Sequence, residues 1–295
     1  MSQPHWHVLG VGAIGTLFVT ALAEAGLDSE LISRQVGERQ RELQLVSDQG
    51  TRARQFTCSP ASGTAPIERL LVTTKAYALK PALHSVAHRL TRDCEVVLLI
   101  NGMGLAEIAR QICPDAGIYC GTTTEGAYVM EKNKVRHAGR GVTLLGSLEG
   151  AARPAWFSRW QAIELESHWA DDIESALWHK LAINCAINPL TALHRCNNGH
   201  LLQDRQLAAE FDSLCDEIAL ISESLGFAHT ASKIHTAART VASATADNRS
   251  SMLQDVSMGR KTEIDFITGY LVRCAQEQGV DVPRNRALLE ALDHA

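Results

Sequence analysis

The chain of 295 residues is long enough for two domains of ordinary size, each with its own core. Hydrophobic residues make up 45% of the sequence and charged residues 21%, which is the balance of a globular protein. The formal net charge is only −5 and no basic run is present, which argues against a nucleic-acid partner. Eight cysteines without a Cys-x-x-Cys pair or regular spacing favour reduced thiols in a cytoplasmic protein.

An apolar stretch over residues 8–27 has some of the character of a signal peptide or a membrane span. Residues 1–7 contain no Lys or Arg, and the stretch includes four glycines together with Thr16, Thr20 and Glu24. A signal peptide requires the missing cations, and a membrane helix rarely carries those polar residues. We therefore expect a protein that is neither exported nor inserted in a membrane.

The first half of the chain alternates short apolar runs with amphipathic stretches. We predict buried strands at 6–9, 29–32, 70–73, 96–100 and 118–120, and helices at 16–25 and 80–90. This alternation predicts a Rossmann-type, doubly wound, mostly parallel sheet, with the domain spanning 1–170. Residues 135–137 and 142–145, with two glycines between them, are typical of a hairpin added to that sheet.

The second half, 171–295, has the pattern of an all-α domain, and residues 149–172 are the expected link. Its predicted helices span 173–188, 207–225, 252–258 and 263–278. We expect Pro189 to end or kink the first of these helices at Asn188. We expect the last helix to begin with a capping box of Thr262 and Asp265 and to stop at Gly279.

A glycine turn follows the first strand and opens the first helix. It has the spacing Gly10-x-Gly12-x-x-Gly15, with Ala13 and Ile14 in the gap. The first glycine makes the tight turn, the second lets a pyrophosphate approach the backbone, and the third lets helix and strand pack. Amides at the helix N-terminus then face the phosphates. At this position the motif predicts dinucleotide binding, the alternative being a turn without a ligand.

The end of the second strand indicates which dinucleotide is bound. An acidic residue there binds the ribose 2′-hydroxyl of NAD, whereas a cation binds the 2′-phosphate of NADP. Here the strand ends in Ser33 and Arg34, so the sequence predicts NADP(H), unless Arg34 is a solvated loop cation. Lys75 and Asn101 follow two later strands, where open parallel sheets bind ligands. Either residue could instead belong to an ordinary turn.

The helix predicted over 173–188 is apolar on most of its faces and should be buried. Lys180, Asn184 and Asn188 nevertheless recur every four residues and so form one stripe along it. Because a buried lysine is costly unless something pairs with it, the stripe indicates the wall of a binding site. A structural polar network between helices is the alternative.

Histidines are numerous, but they do not form a recognisable ligand set. His84 and His88 lie four residues apart on a helix, and His194 and His200 flank a loop. No carboxylate or cysteine completes a set of metal ligands around either pair, so we predict no metal site.

Five strings of the chain form an ordered set. They are Gly10-x-Gly-Ala-Ile-Gly, Asn101-Gly-Met-Gly, Lys180-Leu-Ala-Ile-Asn-Cys-Ala-Ile-Asn-Pro-Leu-Thr-Ala, Ser250-Ser-Met-Leu-Gln-Asp and Arg260-x-Thr-Glu-Ile-Asp. Together they resemble the ketopantoate reductase (2-dehydropantoate 2-reductase) family. The matches run in order from residue 6 to about 275 and cover nearly the whole chain. This makes the set far more specific than any single motif.

The resemblance implies the reduction of 2-dehydropantoate to pantoate with NADPH, a step toward pantothenate and coenzyme A. It implies that Lys180 is the proton donor. Substrate contacts are implied for Asn184, Asn188, Asn198, Asn248, Ser251, Glu263 and Asn101. Cofactor contacts are implied for Gly10, Gly12, Ala13, Ile14, Gly15, Arg34, Lys75 and, at the border with the substrate, Asn101.

The chemistry agrees with this resemblance. Hydride delivery to a ketone leaves charge on oxygen, and a lysine ammonium can stabilise that charge and then protonate it. Glu263 could accept a hydrogen bond from a substrate hydroxyl, or it could simply favour the positive end of a helix. Two other functions stay open: a reductase of another small 2-keto or imino acid, and a non-catalytic NADP(H)-binding sensor. The sequence is equally compatible with a monomer and a homodimer.

Overall fold

The computed structural model describes residues 6–35 and 37–293, and its strands form an eleven-stranded sheet. The strands are β1 Trp6–Leu9, β2 Ser29–Ser33, β3 Gln40–Ser47, β4 Gly50–Pro60, β5 Ile67–Val72, β6 Leu90–Leu99, β7 Gly117–Thr123, β8 Gly126–Glu131, β9 Lys134–Gly139, β10 Thr143–Gly146 and β11 Ser167–Trp169. The helices are α1 Ala13–Glu24, α2 Leu79–Val86, α3 Leu105–Ile112, α4 Phe157–Trp160, α5 Ile173–His194, α6 His200–Gln203, α7 Arg205–Ser224, α8 Ala228–Ala244, α9 Ser251–Ser257, α10 Thr268–Gln278 and α11 Pro283–Asp293. Short 3-10 turns span Ala76–Ala78, Ala87–Arg89 and Ile264–Phe266.

The centre of the sheet is parallel and runs in the order β7-β6-β5-β1-β2-β4. Every residue of β1 is buried, as expected for a parallel strand that is covered on both faces. Leu9 is level with Ile32 of β2 and with Val72 of β5, so three neighbouring strands end at one edge. Ligands of such sheets bind at that edge. The predicted Rossmann-type, mostly parallel sheet followed by a helical second half is confirmed.

The hairpin predicted from residues 135–137 and 142–145 is wrong. β9 pairs with β8 in antiparallel fashion and with β3 in parallel, whereas β10 pairs with β7 and β11. The two segments therefore lie on opposite sides of the parallel centre. A hydrophobic run reveals that a strand exists, but its partner is set by residues far away in the chain.

Residues 149–172 were expected to link the two halves, but they belong to the core of the first. Trp156, Phe157 and Trp160 are buried. The ring of Trp6 meets Trp156 and Trp160 edge to face, with centroids 5.1 Å and 5.2 Å apart. Aromatic contacts of this kind stabilise a core beyond their apolar area, and they fold the expected link onto the sheet.

The described residues form two compact units, each with its own hydrophobic core. The first takes in the described residues up to Ile100 together with Leu105–Ile173, and it contains the whole sheet. The second takes in Asn101–Gly104 and the described residues from Glu174 onward, and its core is built from helices.

Helix α5 begins at Ile173 and continues through Pro189 to His194, so of the two predicted effects of Pro189, an end or a kink at Asn188, the end is wrong. Proline removes one backbone hydrogen bond from a helix. Leu190 and Ala192, which follow it, are buried in the second core. Tertiary packing of this kind supplies most of the stability of helices in proteins and here outweighs the lost bond.

The helix predicted over 263–278 begins only at Thr268, after the 3-10 turn. Thr262 Oγ accepts the N–H of Ile264 at 3.3 Å, two residues on, and so stabilises the backbone that leads into the short turn rather than the start of a helix. The predicted capping box with Asp265 is therefore wrong. Gly279 does end α10, with a left-handed φ of 68°.

All eight cysteines are free thiols. Across residues 6–35 and 37–293, no three side chains of His, Cys, Asp or Glu come together in a way that could hold a metal ion. Nor does any helix in the described ranges have the length and apolar character needed to cross a membrane.

Glu217 of α7 anchors the last helix of the second unit. Its buried carboxylate accepts the N–H groups of Arg284 at 2.8 Å and Asn285 at 3.0 Å. The Asn285 amide Nδ2 donates to the same carboxylate at 2.8 Å. A carboxylate at the N-terminus of α11 satisfies backbone donors that have no partner within the helix.

We predict that Glu217→Ala lowers the free energy of unfolding by about 2–4 kcal/mol, because it leaves buried donors unpaired. Chemical denaturation followed by circular dichroism measures this change. Glu223→Ala, an exposed position on the same helix, is the matched control and should stay within about 0.5 kcal/mol of the parent. A loss below about 1 kcal/mol for Glu217→Ala would contradict the anchoring role.

Candidate functional site

The glycine turn is held against the end of β5. Thr73 Oγ donates to the Gly10 carbonyl at 2.5 Å, and the Thr73 N–H donates to the Leu9 carbonyl at 2.9 Å. Gly10 has a φ of 98°, and a Cβ on it would lie 2.6 Å from Thr74 N. A Cβ on Gly15 would lie 2.4 Å from the Gly10 carbonyl oxygen. The first and third glycines are therefore required for the turn to close.

Gly12 lies in a different environment. Its φ is −95°, and a Cβ built on it would meet nothing within 4 Å. It directly precedes α1, whose first residues are Ala13 and Ile14. Backbone N–H groups in the first turn of a helix have no partner within the helix and attract anions. Open space above these donors fits the pyrophosphate of a dinucleotide.

The two predicted cofactor cations lie near this turn in the first unit. Lys75 is half-buried and comes directly after Thr74, which packs on Gly10. Arg34 is exposed, in the bend that follows β2. Both positions fit recognition of phosphate groups at the carboxyl edge of the sheet.

A charged pair beside Ser33 was not singled out in the sequence. Arg41 donates to Glu38 twice, from Nε at 2.9 Å and from Nη2 at 2.5 Å. Ser33 Oγ donates to Glu38 and accepts from Arg41 Nη2 at 3.3 Å. Hydrogen bonds from Arg41 and Ser33 lower the pKa of Glu38 to about 2, so its carboxylate is ionised at neutral pH. The only sequence signal was an acid and a base three residues apart after the strand.

Residues predicted to bind the substrate or to donate a proton are concentrated in the second unit. The full set lies there: Asn101, Lys180, Asn184, Asn188, Asn198, Asn248, Ser251 and Glu263. The other predicted cofactor residues lie in the first unit: Gly10, Gly12, Ala13, Ile14, Gly15, Arg34 and Lys75.

The polar stripe on α5 lies where the sequence predicted it. Lys180 and Asn184 are half-buried and Asn188 is buried, and neighbours in the stripe lie about 6 Å apart along the helix axis. Burial lowers the pKa of Lys180 to about 8, while the carboxylate of Glu263 opposes this shift by favouring the charged form. Glu263 itself is only 5% exposed. An acid and a base from separate segments therefore act on each other inside the second unit.

A hydrogen bond joins the helix of the stripe to the segment that carries Ser251. Thr191 Oγ, one turn beyond the stripe, donates to Ser250 Oγ at 2.7 Å. Ser250 Oγ also accepts the N–H of Leu253 at 3.1 Å and so caps α9, of which Ser251 is the first residue. Ser251 is exposed. Neither this cap nor its partner on α5 was identified from the sequence.

Asn198 and Asn248 are brought together by two backbone hydrogen bonds. The Asn198 N–H donates to the Asn248 carbonyl at 3.0 Å, and the Gly199 N–H donates to the Ala246 carbonyl at 3.0 Å. Asn198 is buried, and its Nδ2 donates to Thr245 Oγ at 2.8 Å. Its Oδ1 has no hydrogen-bond partner in the part of the chain that the structure describes. That buried acceptor fits contact with a ligand donor.

The loop of Asn101 packs on the segment that carries Glu263. The Met103 N–H donates to the Phe266 carbonyl at 3.0 Å, and the Phe266 N–H donates to the Glu263 carbonyl at 3.0 Å. Gly102, with a φ of 98°, lies so close that a Cβ would be 2.6 Å from the Phe266 oxygen. The glycine therefore allows the close approach that holds Asn101 in the second unit.

A parallel sheet with a glycine turn at the start of its first helix, followed by a helical unit with a half-buried lysine of lowered pKa, is the arrangement of a dinucleotide-dependent oxidoreductase. Comparison with known proteins gives the family. Residues 6–150 match the family described as Ketopantoate reductase PanE/ApbA, and residues 172–295 match its C-terminal domain. The chain belongs to the ketopantoate reductase family, and it is an oxidoreductase of that type. The resemblance inferred from its motifs is confirmed.

Individual relatives agree with this membership. The chain is 34% identical over 291 residues to the 2-dehydropantoate 2-reductase of Vibrio cholerae serotype O1, covering 97% of this chain and 95% of that protein. Two solved structures share the fold at 23% identity, each covering 98% of this chain and 97% of theirs. One is a D-mandelate dehydrogenase with NADH and anilino(oxo)acetate, with a TM-score of 0.89. The other is a PanE/ApbA family ketopantoate reductase from Ralstonia eutropha JMP134, with a TM-score of 0.86.

We predict that Gly12→Ala separates folding from cofactor binding. Its Cβ enters open space, so the free energy of unfolding should change by less than about 1 kcal/mol. Affinity for the dinucleotide should fall at least about tenfold, because the methyl group takes the space next to the helix amides. Thermal unfolding and fluorescence titration with NADPH measure the two effects.

Gly15→Ala is the matched comparison for this experiment. Its Cβ would collide with backbone only 2.4 Å away, so this variant should lose stability as well as binding. Unchanged NADPH affinity in Gly12→Ala would contradict the assignment of the turn.

Proposed function

We propose that the protein reduces 2-dehydropantoate to pantoate with NADPH, in the route to pantothenate and coenzyme A. The observation that carries this proposal is Lys180, whose pKa is lowered by burial in a stripe that continues with Asn184 and Asn188. Glu263, in the same unit, acts electrostatically on that lysine. A perturbed lysine among neutral donors is the arrangement that ketone reduction requires.

The first unit supplies the residues that hold the cofactor. The amides of Ala13 and Ile14 at the start of α1 bind the pyrophosphate, while the Gly12 N–H donates to the Gly10 carbonyl at 3.0 Å and helps to form the turn. Arg34 and Lys75 add positive charge for phosphate groups. NADPH, when bound, supplies the hydride that is transferred to the ketone carbon.

The second unit supplies the residues that orient the substrate. Asparagine and serine side chains bind the carboxylate and ketone without adding full charges; these are Asn101, Asn184, Asn188, Asn198, Asn248 and Ser251. Glu263 accepts a hydrogen bond from the substrate hydroxyl. Because several elements contribute these groups, the substrate is held at more than one end, which fixes the ketone for reaction.

Lys180 performs the proton transfer. Its ammonium donates a hydrogen bond to the ketone oxygen and stabilises the negative charge that develops there. The Nζ proton then passes to the alkoxide, giving the hydroxyl of pantoate and leaving a neutral amine. A pKa of about 8 keeps the amine mostly protonated near neutral pH while making the proton easier to release than from an exposed lysine.

The setting of the reaction follows from the same proposal. We expect a cytoplasmic enzyme that acts on a small-molecule 2-keto acid as a monomer or homodimer, without a nucleic-acid partner. The modest net charge of −5 supports the expectation that nucleic acid is not a partner.

The proposal predicts NADPH oxidation driven by 2-dehydropantoate in preference to other 2-keto acids, such as pyruvate and phenylglyoxylate. Lys180→Ala should lower kcat about 10³-fold, because it removes both the stabilising charge and the proton. Stopped-flow absorbance at the NADPH band measures the rates, and circular dichroism checks the fold. Lys233→Ala, an exposed lysine on α8, is the control and should keep full activity. Full activity in Lys180→Ala, or a different preferred keto acid, would overturn the assignment.

The pH dependence provides a separate test of the proton donor. Reduction needs the protonated amine, so kcat/KM should be level below a pH of about 8 and fall about tenfold per unit above it. Oxidation of pantoate needs the neutral amine, so kcat/KM for this reverse reaction should rise with pH and become level above a pH of about 8. Glu263→Gln should move both limbs to lower pH, because the carboxylate raises the pKa of Lys180. Asn184→Ala removes no charge, so the pH at which kcat/KM begins to fall should be the same as in the parent. An unchanged pH in Glu263→Gln would contradict the coupling between Glu263 and Lys180.

A further inference from the structure

The edge of the sheet beside the glycine turn carries charges of both signs. Leu9 and Ile32 are level in neighbouring strands, so Ser33 and Gly10 leave the sheet side by side. In this fold the residues just after the second strand receive the 2′ end of the adenosine ribose. A cation there favours a 2′-phosphate, and a carboxylate favours a 2′-hydroxyl. Arg34 is the cation, and Glu38 is a carboxylate at the same place.

Glu38 accepts hydrogen bonds from the donors, on Ser33 and Arg41, that a 2′-phosphate would need. The proton of Ser33 Oγ is directed at Glu38, so this hydroxyl does not donate elsewhere while the pair is intact. Arg41 donates to the same carboxylate from Nε at 2.9 Å and from Nη2 at 2.5 Å, and Nη2 is also the atom that donates to Ser33 Oγ. Only about a fifth of each side chain is exposed, 18% for Arg41 and 19% for Glu38. A phosphate that reaches Ser33 must therefore displace Glu38.

We infer that Glu38 competes with the 2′-phosphate for Ser33 and Arg41, and so sets the balance between NADPH and NADH. This inference rests on the proposed function. With Glu38 in place, its carboxylate can accept the 2′-hydroxyl of NADH. With Glu38 displaced, Arg41 joins Arg34 as a second phosphate-binding cation, with the fork of donors that phosphate oxygens match. The protein therefore discriminates less strongly against NADH than Arg34 alone would suggest.

The binding of fragments tests the inference without relying on turnover. Adenosine 2′,5′-bisphosphate carries the 2′-phosphate and 5′-AMP lacks it, so the ratio of their Kd values isolates this subsite. In Glu38→Gln, calorimetric titration of the full chain should show about tenfold tighter binding of the bisphosphate, because a like charge is removed. Binding of 5′-AMP should stay the same or weaken. Glu42→Gln, the exposed acid next to Arg41 in β3, controls for net charge and should leave the ratio unchanged.

The double variant Glu38→Gln/Arg41→Gln tests whether Arg41 contacts the phosphate. If it does, the double variant binds the bisphosphate about tenfold more weakly than Glu38→Gln alone. Equal affinity in these two variants would overturn the role of Arg41, and an unchanged ratio in Glu38→Gln would overturn the competition. Thermal melting confirms that each variant is folded. If the parent chain binds neither NADPH nor the bisphosphate, the proposed function fails together with this inference. If the parent chain binds both and only the variants behave differently from expectation, the inference alone fails.

Discussion

The constraint on which the proposed chemistry of the second unit depends is the desolvation of one ammonium group, that of Lys180. Burial lowers the pKa of Lys180 to about 8, against an ordinary value of 10.5, because its charge is solvated less well than in water. The unfolded chain therefore binds more protons than the folded chain between these two pH values, so this lysine costs stability below about pH 8. That cost is relieved as the pH rises toward 10.5. Glu263 reduces it by favouring the charged form.

Two segments of the second unit that carry predicted substrate-binding residues, Ser251 and Asn101, are held by hydrogen bonds of neighbouring residues. Thr191 fixes the start of α9 through Ser250, and the Phe266 carbonyl fixes the Asn101 loop through Met103. Side chains supported in this way keep their own donors and acceptors for a ligand while their backbones stay in place. The supporting groups, a threonine, a serine and two backbone groups, are therefore not expected to take part in the reaction. Their contribution is geometric, since a site performs well only when its groups are already oriented.

Local pattern was sufficient to predict the helix of the stripe and the glycine turn, and it failed where distant residues decide the structure. The stripe follows from a helical period, and the turn follows from the positions of three glycines, so both are readable within a short window. The pairing of β9 with β3 and the burial of Trp156 and Trp160 depend on partners far away in the chain. The passage of α5 through Pro189 depends in the same way on packing in the second core. The bond from Thr191 to Ser250 spans 59 residues, and no local signal marks it.

The two units use charge in different ways, and the difference matches what each is proposed to bind. A 2′-phosphate is multiply charged, and the first unit offers Arg34 and Arg41 for it, with Glu38 moderating that attraction. A substrate carboxylate carries a single charge, and the residues proposed to bind it in the second unit are mainly neutral amides and hydroxyls. Full cations there would bind product as tightly as substrate and would shift the pKa of Lys180 further down. Neutral donors avoid both effects, so the lysine can respond to charge on the ketone oxygen, which is the charge that changes during the reaction.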